Sequence, residues 1–279
     1  MKINNILVPV DFSDCSRNAL CYAIELAQRV NAQLHLIHSY YIPVPTADIS
    51  VIVDNRAQLD QEQVIRDAWA GLAREVPELG RINYSHETRM GFLNNVVLTA
   101  LEKRSFDLII MGTKGCTNRF DHFLGSNAYN VARDARVPVL VIPEHHSFSG
   151  FKKVAIAADY HQIKDLSNLE LLRSLATDFQ SEIHLLHISE APQSLDIEEA
   201  EEALNLKEYF ADLDHHFDFV TELNVVDGIE NYSKENQVDL TVIIPRHHNL
   251  FERLFKKRIT RESVLKAHMC MLVLHDEQE

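Results

Sequence analysis

The sequence predicts an α/β protein made of two copies of a doubly wound unit, each with a five-stranded parallel sheet flanked by helices. Two observations support this prediction. Short apolar runs rich in branched residues alternate with amphipathic stretches of helical spacing, as in a parallel sheet covered on both faces. The whole series then begins again near the middle of the 279-residue chain.

Five strands with intervening helices can be placed in the first copy. Ile6–Val10 is a short apolar strand, and Ser13–Val30 follows as a helix with Ser13 as its N-cap. The other predicted strands are Gln33–Ile37, Arg81–Ser85, Phe106–Met111 and Val137–Ile142, and the other predicted helices lie within Ile49–Val76, Phe92–Arg104 and Gly125–Arg136. Right-handed crossovers between such strands produce a doubly wound domain.

The second copy repeats the landmarks of the first. Lys153–Ala158 leads into Asp159 as the first strand leads into Asp11, at an offset of 148 residues. Three further strands repeat their counterparts, namely Ser181–His187, Val238–Ile244 and Cys270–Leu274, and the last does so at an offset of 132. The second copy is therefore 16 residues shorter, and the sequence predicts domains at 1–146 and 147–279.

Charged residues are distributed unevenly between the two halves of the chain. Residues 1–146 hold 14 basic and 16 acidic side chains, whereas 147–279 hold 13 and 25, and the chain carries a net charge of −14. This acidity argues against nucleic-acid partners, and the lack of an 18-residue apolar run argues against a membrane span. Asp11 and Asp14 interrupt any signal peptide, and four cysteines without a C-x-x-C pair fit reduced thiols, so a cytoplasmic location is expected.

One motif carries binding chemistry. Gly112, Gly115, Gly125 and Ser126 form the pattern G-x2-G-x9-G-S, in a loop that leaves the carboxyl end of a predicted parallel strand and enters a helix. Ligands bind at that edge of open α/β sheets, and glycine lets the backbone approach a phosphate closely. The amides of 125–127 would lie at a helix N-terminus, which favours an anion. The alternative is that these glycines only form turns.

An acidic residue ends the first strand. Asp11 follows Ile6–Val10, next to the fourth strand in a flavodoxin-like order. A carboxylate there can accept a hydrogen bond from a ribose hydroxyl or an adenine amino group. The alternative is a capping role for the helix that begins near Ser13.

These motifs resemble the universal stress protein family. The resemblance rests on Pro9-Val10-Asp11, on Leu36-Ile37-His38, on the spaced glycines and on the closing Pro138–Ile142 segment. It implies Rossmann-like domains of strand order 3-2-1-4-5, which meet through their fifth strands as an internal pseudo-dimer; a further homodimer stays open. It also implies ATP as the ligand, with Mg²⁺ left open. The implied contacts are Pro9, Val10, Asp11 and Ser39 for adenine, and Met111, Gly112, Gly115, Gly125, Ser126, Asn127 and Ala128 for ribose and phosphates.

The second copy departs from this pattern. Its fourth strand leads into Pro245–Asn249 where glycines are expected, and the Gly-Ser position falls near Lys257-Arg258. We therefore expect no ATP binding of the family's kind there. Residues 246–261 hold six basic side chains against one acid, which indicates either a solvated helix face or a site for an anion or partner.

Other candidates are weaker. Histidine pairs stand at 145–146, 215–216 and 247–248, but adjacent residues on a strand or helix point apart, so no metal site is expected. His38 and His187, which end equivalent strands, are interpreted as packed histidines. Trp69 and Leu72 indicate a helix face packed on the sheet, with a partner surface as the alternative. Cys116 has no assignable partner, and no catalytic residue is predicted.

The sequence thus favours a stress-related regulatory protein that binds ATP in its first domain and whose protein partners are unknown. Two alternatives stay open. One is a slow ATPase or nucleotide-dependent transferase, although G-x-S-x-G and Walker A motifs are absent. The other is an interaction protein that binds no nucleotide and retains the glycine loop only as a vestige.

Overall fold

The computed structural model describes residues 2–41, 55–113, 126–157, 166–189, 197–244 and 269–274. Ten strands in these residues form one sheet. They are β1 Asn5–Pro9, β2 Gln33–Tyr40, β3 Tyr84–Met90, β4 Leu108–Gly112, β5 Val139–Ile142, β6 Lys153–Ala157, β7 Glu182–Ser189, β8 His215–Thr221, β9 Leu240–Ile243 and β10 Met271–Val273.

Seven α-helices connect strands in the described part of the chain. They are α1 Asp14–Val30, α2 Asn55–Glu75, α3 Leu93–Lys103, α4 Ser126–Asp134, α5 Glu170–Phe179, α6 Ile197–Tyr209 and α7 Val225–Glu235. Short 3₁₀ turns cover Pro77–Arg81 and Leu166–Leu169. None of the helices described is both long and apolar enough to cross a membrane.

The strand order is β3-β2-β1-β4-β5-β10-β9-β6-β7-β8. Each half has the predicted order 3-2-1-4-5 and is parallel throughout. The halves join where β5 pairs antiparallel with β10, and Leu140 lies opposite Leu272. The predicted contact through the fifth strands is therefore confirmed. It merges the two five-stranded sets into one continuous sheet.

The predicted third strand was placed too early. It was expected at Arg81–Ser85, whereas β3 covers Tyr84–Met90 because Pro77–Arg81 forms a 3₁₀ turn that ends at Arg81. The second strand is longer than predicted and continues to Tyr40, since all seven residues from Leu34 onward pair with β3. The predicted N-cap of α1 is confirmed, because the Ser13 side chain accepts a hydrogen bond from the backbone N–H of Ser16.

Apolar packing also crosses the junction. A single buried cluster contains Leu20 and Ile24 of α1, Leu172 of α5, and the paired Leu140 and Leu272. All of these side chains are almost fully buried. The two halves therefore share a core on one face of the sheet as well as a strand pairing.

Candidate functional site

The candidate site lies where β1 and β4 end side by side. These two strands pair in parallel, with Ile6 opposite Leu108 and Leu7 opposite Ile109. Their carboxyl ends therefore reach the same edge of the sheet. From β1 the chain continues to β2 on one side, whereas β4 is followed by β5 on the other. This is the topological switch point at which open α/β sheets bind ligands.

Asp11 stands just beyond β1 at this edge. Its Oδ1 accepts hydrogen bonds from the backbone N–H of Ser13 at 3.0 Å and from the Ser13 hydroxyl at 2.6 Å. The Ser13 Oγ in turn accepts from the N–H of Ser16 at 3.2 Å. Ser13, and not Asp11, is therefore the N-cap of α1, and the Asp11 carboxylate supports this cap by holding Ser13. A carboxylate offers about four lone-pair sites, so this role leaves the ligand hypothesis open.

The turn between Asp11 and α1 is held by aromatic packing. Phe12 adopts a left-handed backbone conformation with φ of 63°, which is uncommon for a bulky residue. Its ring lies 4.6 Å from that of His38 and 5.1 Å from that of Trp69. The His38 Nδ1 donates to the Val10 carbonyl at 2.7 Å, because a carbonyl oxygen can only accept. His38 is therefore a packed, hydrogen-bonded histidine, as predicted.

Trp69 belongs to the core of the first half. It packs against the main buried cluster, and its Nε1 donates to the hydroxyl of Thr88 on β3 at 2.9 Å. Leu72, one turn further along α2, is also buried. The prediction that this helix face packs on the sheet is confirmed.

Gly112 ends β4 for a reason that the motif alone does not reveal. A Cβ atom there would lie 2.7 Å from the Cys15 Sγ and 3.0 Å from the Cys15 carbonyl oxygen. The absence of a side chain thus lets α1 approach the end of β4. This contact with α1 is enough to account for a glycine at position 112, so the residue need not be there to make room for a phosphate.

The remaining predicted contacts are only partly described. Pro9, Val10 and Met111 are buried at the strand ends, whereas Ser39 is half-buried on β2 opposite Arg89. Ser126 and Asn127 are exposed in the first turn of α4, and Ala128 is buried. Gly115, Gly125, Cys116, Asp159, the segment 245–249 and the basic cluster 246–261 lie outside the described residues.

A second polar cluster was missed by the sequence argument. Glu182 and His184 of β7 and His216 of β8 place one potential metal-ligand atom each within 4.8 Å of one another. The adjacent histidines 215 and 216 do point apart on β8, so their pairing in the sequence indicates no shared site. The informative signal is the periodicity of the strands. Glu182 and His184 are two residues apart on β7 and therefore lie on one face, and alternation along β8 can bring His216 to that same face.

Comparisons with known proteins agree with this geometry. Residues 2–143 match the model of the universal stress protein family. The chain belongs to the universal stress protein family. Universal stress protein MJ0531 of Methanocaldococcus jannaschii is 27% identical over 141 residues, which cover 49% of this chain and 80% of that protein. Universal stress protein A homolog 1 of Coxiella burnetii is 28% identical over 144 residues, which cover 51% and 97%.

Similar solved structures extend over both halves. A universal stress protein from Archaeoglobus fulgidus superposes with a TM-score of 0.69 at 20% identity, covering 98% of this chain and 96% of that one. Protein PA1789 of Pseudomonas aeruginosa gives 0.60 at 16% identity, covering 98% and 92%. The fold of both halves together is therefore shared with these two proteins.

Proposed function

We propose that this chain is a cytoplasmic stress-response regulator that binds ATP in a first domain, residues 1–146. The observation that carries the proposal is the switch point between β1 and β4, because Asp11 and the beginning of the glycine motif meet at the same sheet edge. Family membership, established for residues 2–143, supports the same half of the chain.

The proposed ligand would be bound mostly by backbone. Adenine would lie near Pro9, Val10, Asp11 and Ser39, and the ribose and phosphates would contact Met111, Gly112, Gly115, Gly125, Ser126, Asn127 and Ala128. Ser126 begins α4 and is exposed, so its hydroxyl and the first amides of that helix are accessible to an anion. Mg²⁺ accompanying the phosphates would reduce their charge and is part of the proposal to be tested.

The second domain, proposed at 147–279, differs from the first in the residues that correspond to the proposed phosphate contacts. It keeps an aspartate at Asp159, but Lys257 and Arg258 occupy the region of the Gly-Ser pair. Side chains there would obstruct the close backbone approach that phosphate binding of this kind requires. We therefore place ATP only in the first domain.

Calorimetric titration of the purified full chain with ATP, with and without Mg²⁺, tests the proposal. Asp11→Asn keeps an oxygen acceptor for Ser13 but removes the charge, and Gly125→Val adds a branched side chain to the phosphate loop. Both should weaken ATP binding at least tenfold. The matched control is Asp159→Asn, which should leave the affinity unchanged because it alters the equivalent residue of the second copy.

Mass spectrometry of small molecules released from the purified protein provides an independent test. ATP or ADP released from the wild type, and not from Gly125→Val, supports the proposal. Steady phosphate release that Gly125→Val abolishes would favour the slow ATPase instead. A chain that neither retains nor binds nucleotide would favour the interaction protein.

A further inference from the structure

The Glu182 cluster consists of Glu182 and His184 on β7 and His216 and Asp218 on β8. His184 lies directly opposite His216 in the parallel register. Residues two apart on a strand point to the same side, so all four side chains share one face of the sheet. The cluster is at the outer end of the second half, because β8 is the last strand of the sheet. It is thus independent of the proposed nucleotide site.

Hydrogen bonds assign the proton of His184. The Tyr232 hydroxyl donates to Oδ2 of Asp218 at 2.5 Å, so its oxygen can only accept from the His184 Nδ1 at 2.6 Å. His184 therefore carries its proton on Nδ1, and its Nε2 is left with an unprotonated lone pair.

The lone pair of His184 faces a carboxylate. The side chain of His184 is 3% exposed, and its buried Nε2 has no hydrogen-bond partner among the residues that the structure describes. The Oε2 of Glu182 lies 3.8 Å from this Nε2. Two electron-rich atoms held this close repel each other unless a cation lies between them.

His216 is placed in the same way, except that the roles of its two ring nitrogens are exchanged. Its Nε2 lies 3.0 Å from Oδ2 of Asp218, which favours a proton on Nε2. The other ring nitrogen, Nδ1, lies 3.7 Å from Oε1 of Glu182. In the neutral form of each ring the nitrogen turned toward Glu182 is therefore the unprotonated one, and the second nitrogen lies beside the Asp218–Tyr232 pair.

We propose that Glu182, His184 and His216 bind a divalent transition-metal ion of the Zn²⁺ class. Two neutral imidazoles and one carboxylate are a donor set that zinc accepts, with ligand distances of about 2.0–2.2 Å. Asp218 and Tyr232 act as positioning residues, since histidine ligands commonly donate their other N–H to a carboxylate or similar acceptor. The side chains of Glu182 and His216 are 38% and 41% exposed, so water can complete the coordination.

One cation is already near the cluster. Lys153 lies opposite Glu182 on β6, on the same face. Its ammonium donates to the carbonyl oxygen of Asn236 at 3.3 Å. Lys153 contributes positive charge nearby, but within the described part of the chain its ammonium forms no ion pair with Glu182.

The first half provides an internal comparison. In the register of β2 and β3, Gln33, His35 and Ser85 take the places of Glu182, His184 and His216. There the Arg104 Nη1 lies 2.7 Å from the Nδ1 of His35, so a guanidinium already satisfies the imidazole. The equivalent position in the first half therefore holds a cationic side chain, and only the second half has the donors for a metal among the residues described.

The test is titration of chelator-treated full-length protein with ZnCl₂ by calorimetry and with CoCl₂ by visible absorption. We expect one site, and visible absorption bands of bound Co²⁺ if the ion takes the tetrahedral coordination usual for Zn²⁺. Glu182→Gln and His216→Ser each install the residue that the first half carries, so the fold should tolerate them. Each should lower Zn²⁺ affinity at least 100-fold, and Tyr232→Phe should lower it 10- to 100-fold.

The control is His215→Gln, which removes the neighbouring histidine on the opposite face of β8 and should leave the affinity unchanged. It also measures weak surface binding by the other histidines, of which the chain has 15 in total. Circular dichroism of each variant checks that it is folded. The proposal is overturned if the wild type binds neither ion, or if the Glu182→Gln/His216→Ser double variant binds Zn²⁺ with the affinity and stoichiometry of the wild type.

Discussion

The thiol of Cys270 donates a hydrogen bond to the hydroxyl oxygen of Tyr22 over 3.6 Å, linking residues 248 positions apart in the chain. Cys270 immediately precedes β10, and Tyr22 lies in the middle of α1. Both side chains are almost fully buried. Burial raises the pKa of Cys270 to about 12 and raises the pKa of Tyr22 well above its ordinary value.

Alkaline pH should therefore destabilise the protein through this pair. The folded protein keeps the Cys270 proton up to about pH 12, whereas the unfolded chain loses it near 9.0. Stability from this thiol is present in full below pH 9 and declines by about 1.4 kcal/mol per pH unit above it. Urea unfolding at pH 8 to 10.5 should show a shallower decline for Cys270→Ala. Equal slopes for the variant and the wild type would contradict this expectation.

Gly112 should be far less tolerant of a methyl group than Gly71. Gly112→Ala forces a Cβ to within 2.7 Å of the Cys15 Sγ, so we expect a loss of about 1–3 kcal/mol from overpacking. Gly71 lies inside α2, where an added Cβ would meet no atom within 4 Å, and Gly71→Ala should stabilise the protein by up to about 1 kcal/mol. Chemical unfolding measures both. Equal effects would show that α1 moves freely away from β4.

Two aspartates perform one structural role in the two halves. The Oδ2 of Asp107 accepts from the backbone N–H groups of Asn4 and Asn5, at 2.8 and 2.9 Å. The Oδ2 of Asp239 accepts from those of Lys152 and Lys153, both at 2.9 Å. Each carboxylate thereby links the residue just before the fourth strand of its half to the beginning of the first strand of the same half.

Replacing either aspartate by alanine should cost about 1–3 kcal/mol, since two hydrogen bonds to a charged acceptor are lost. Asp107→Asn and Asp239→Asn keep an oxygen acceptor and should cost less than the alanine variants. Thermal and urea unfolding of the four variants make the comparison. An alanine variant as stable as the wild type would mean that water replaces the carboxylate without cost.

The two halves should unfold together. Trp69 is the chain's one tryptophan and lies in the first half, so its fluorescence reports that half. Leu272→Ala removes a fully buried side chain in β10 and should cost about 2–5 kcal/mol. Because β10 pairs with β5 and the core is shared, the Trp69 transition should shift along with the circular dichroism transition. A shift in circular dichroism alone would show that the halves unfold independently.

Sequence patterns predicted most of the fold because the central strands are apolar on both faces. Runs such as Phe106–Met111 and Val137–Ile142 are typical of buried parallel strands, and they became β4 and β5. The third strand was displaced because β3 is an edge strand with the mostly polar sequence Tyr84–Met90, which lacks that pattern. Edge strands pair on one side only, so their composition is less constrained.

The candidate sites differ in how much of each the sequence could predict. Asp11 and the glycine motif could be located because loops at the carboxyl ends of strands follow directly from the predicted topology. The close contact of Gly112 with Cys15 could not, since it depends on how near α1 lies to β4. The Glu182 cluster could not either, because strand register decides whether His184 faces His216.

The repeat and the family motifs could be read from the amino-acid sequence, since they depend on local periodicity and on short segments, and the strand order within each half followed only as what the family resemblance implies. Only the tertiary structure decided which distant side chains meet. Cys270 reaches Tyr22, and Glu182 approaches both His184 and His216, through the pairing of strands and the packing of helices. Such contacts are set by distances of a few ångströms between elements, and no pattern along one segment contains that information.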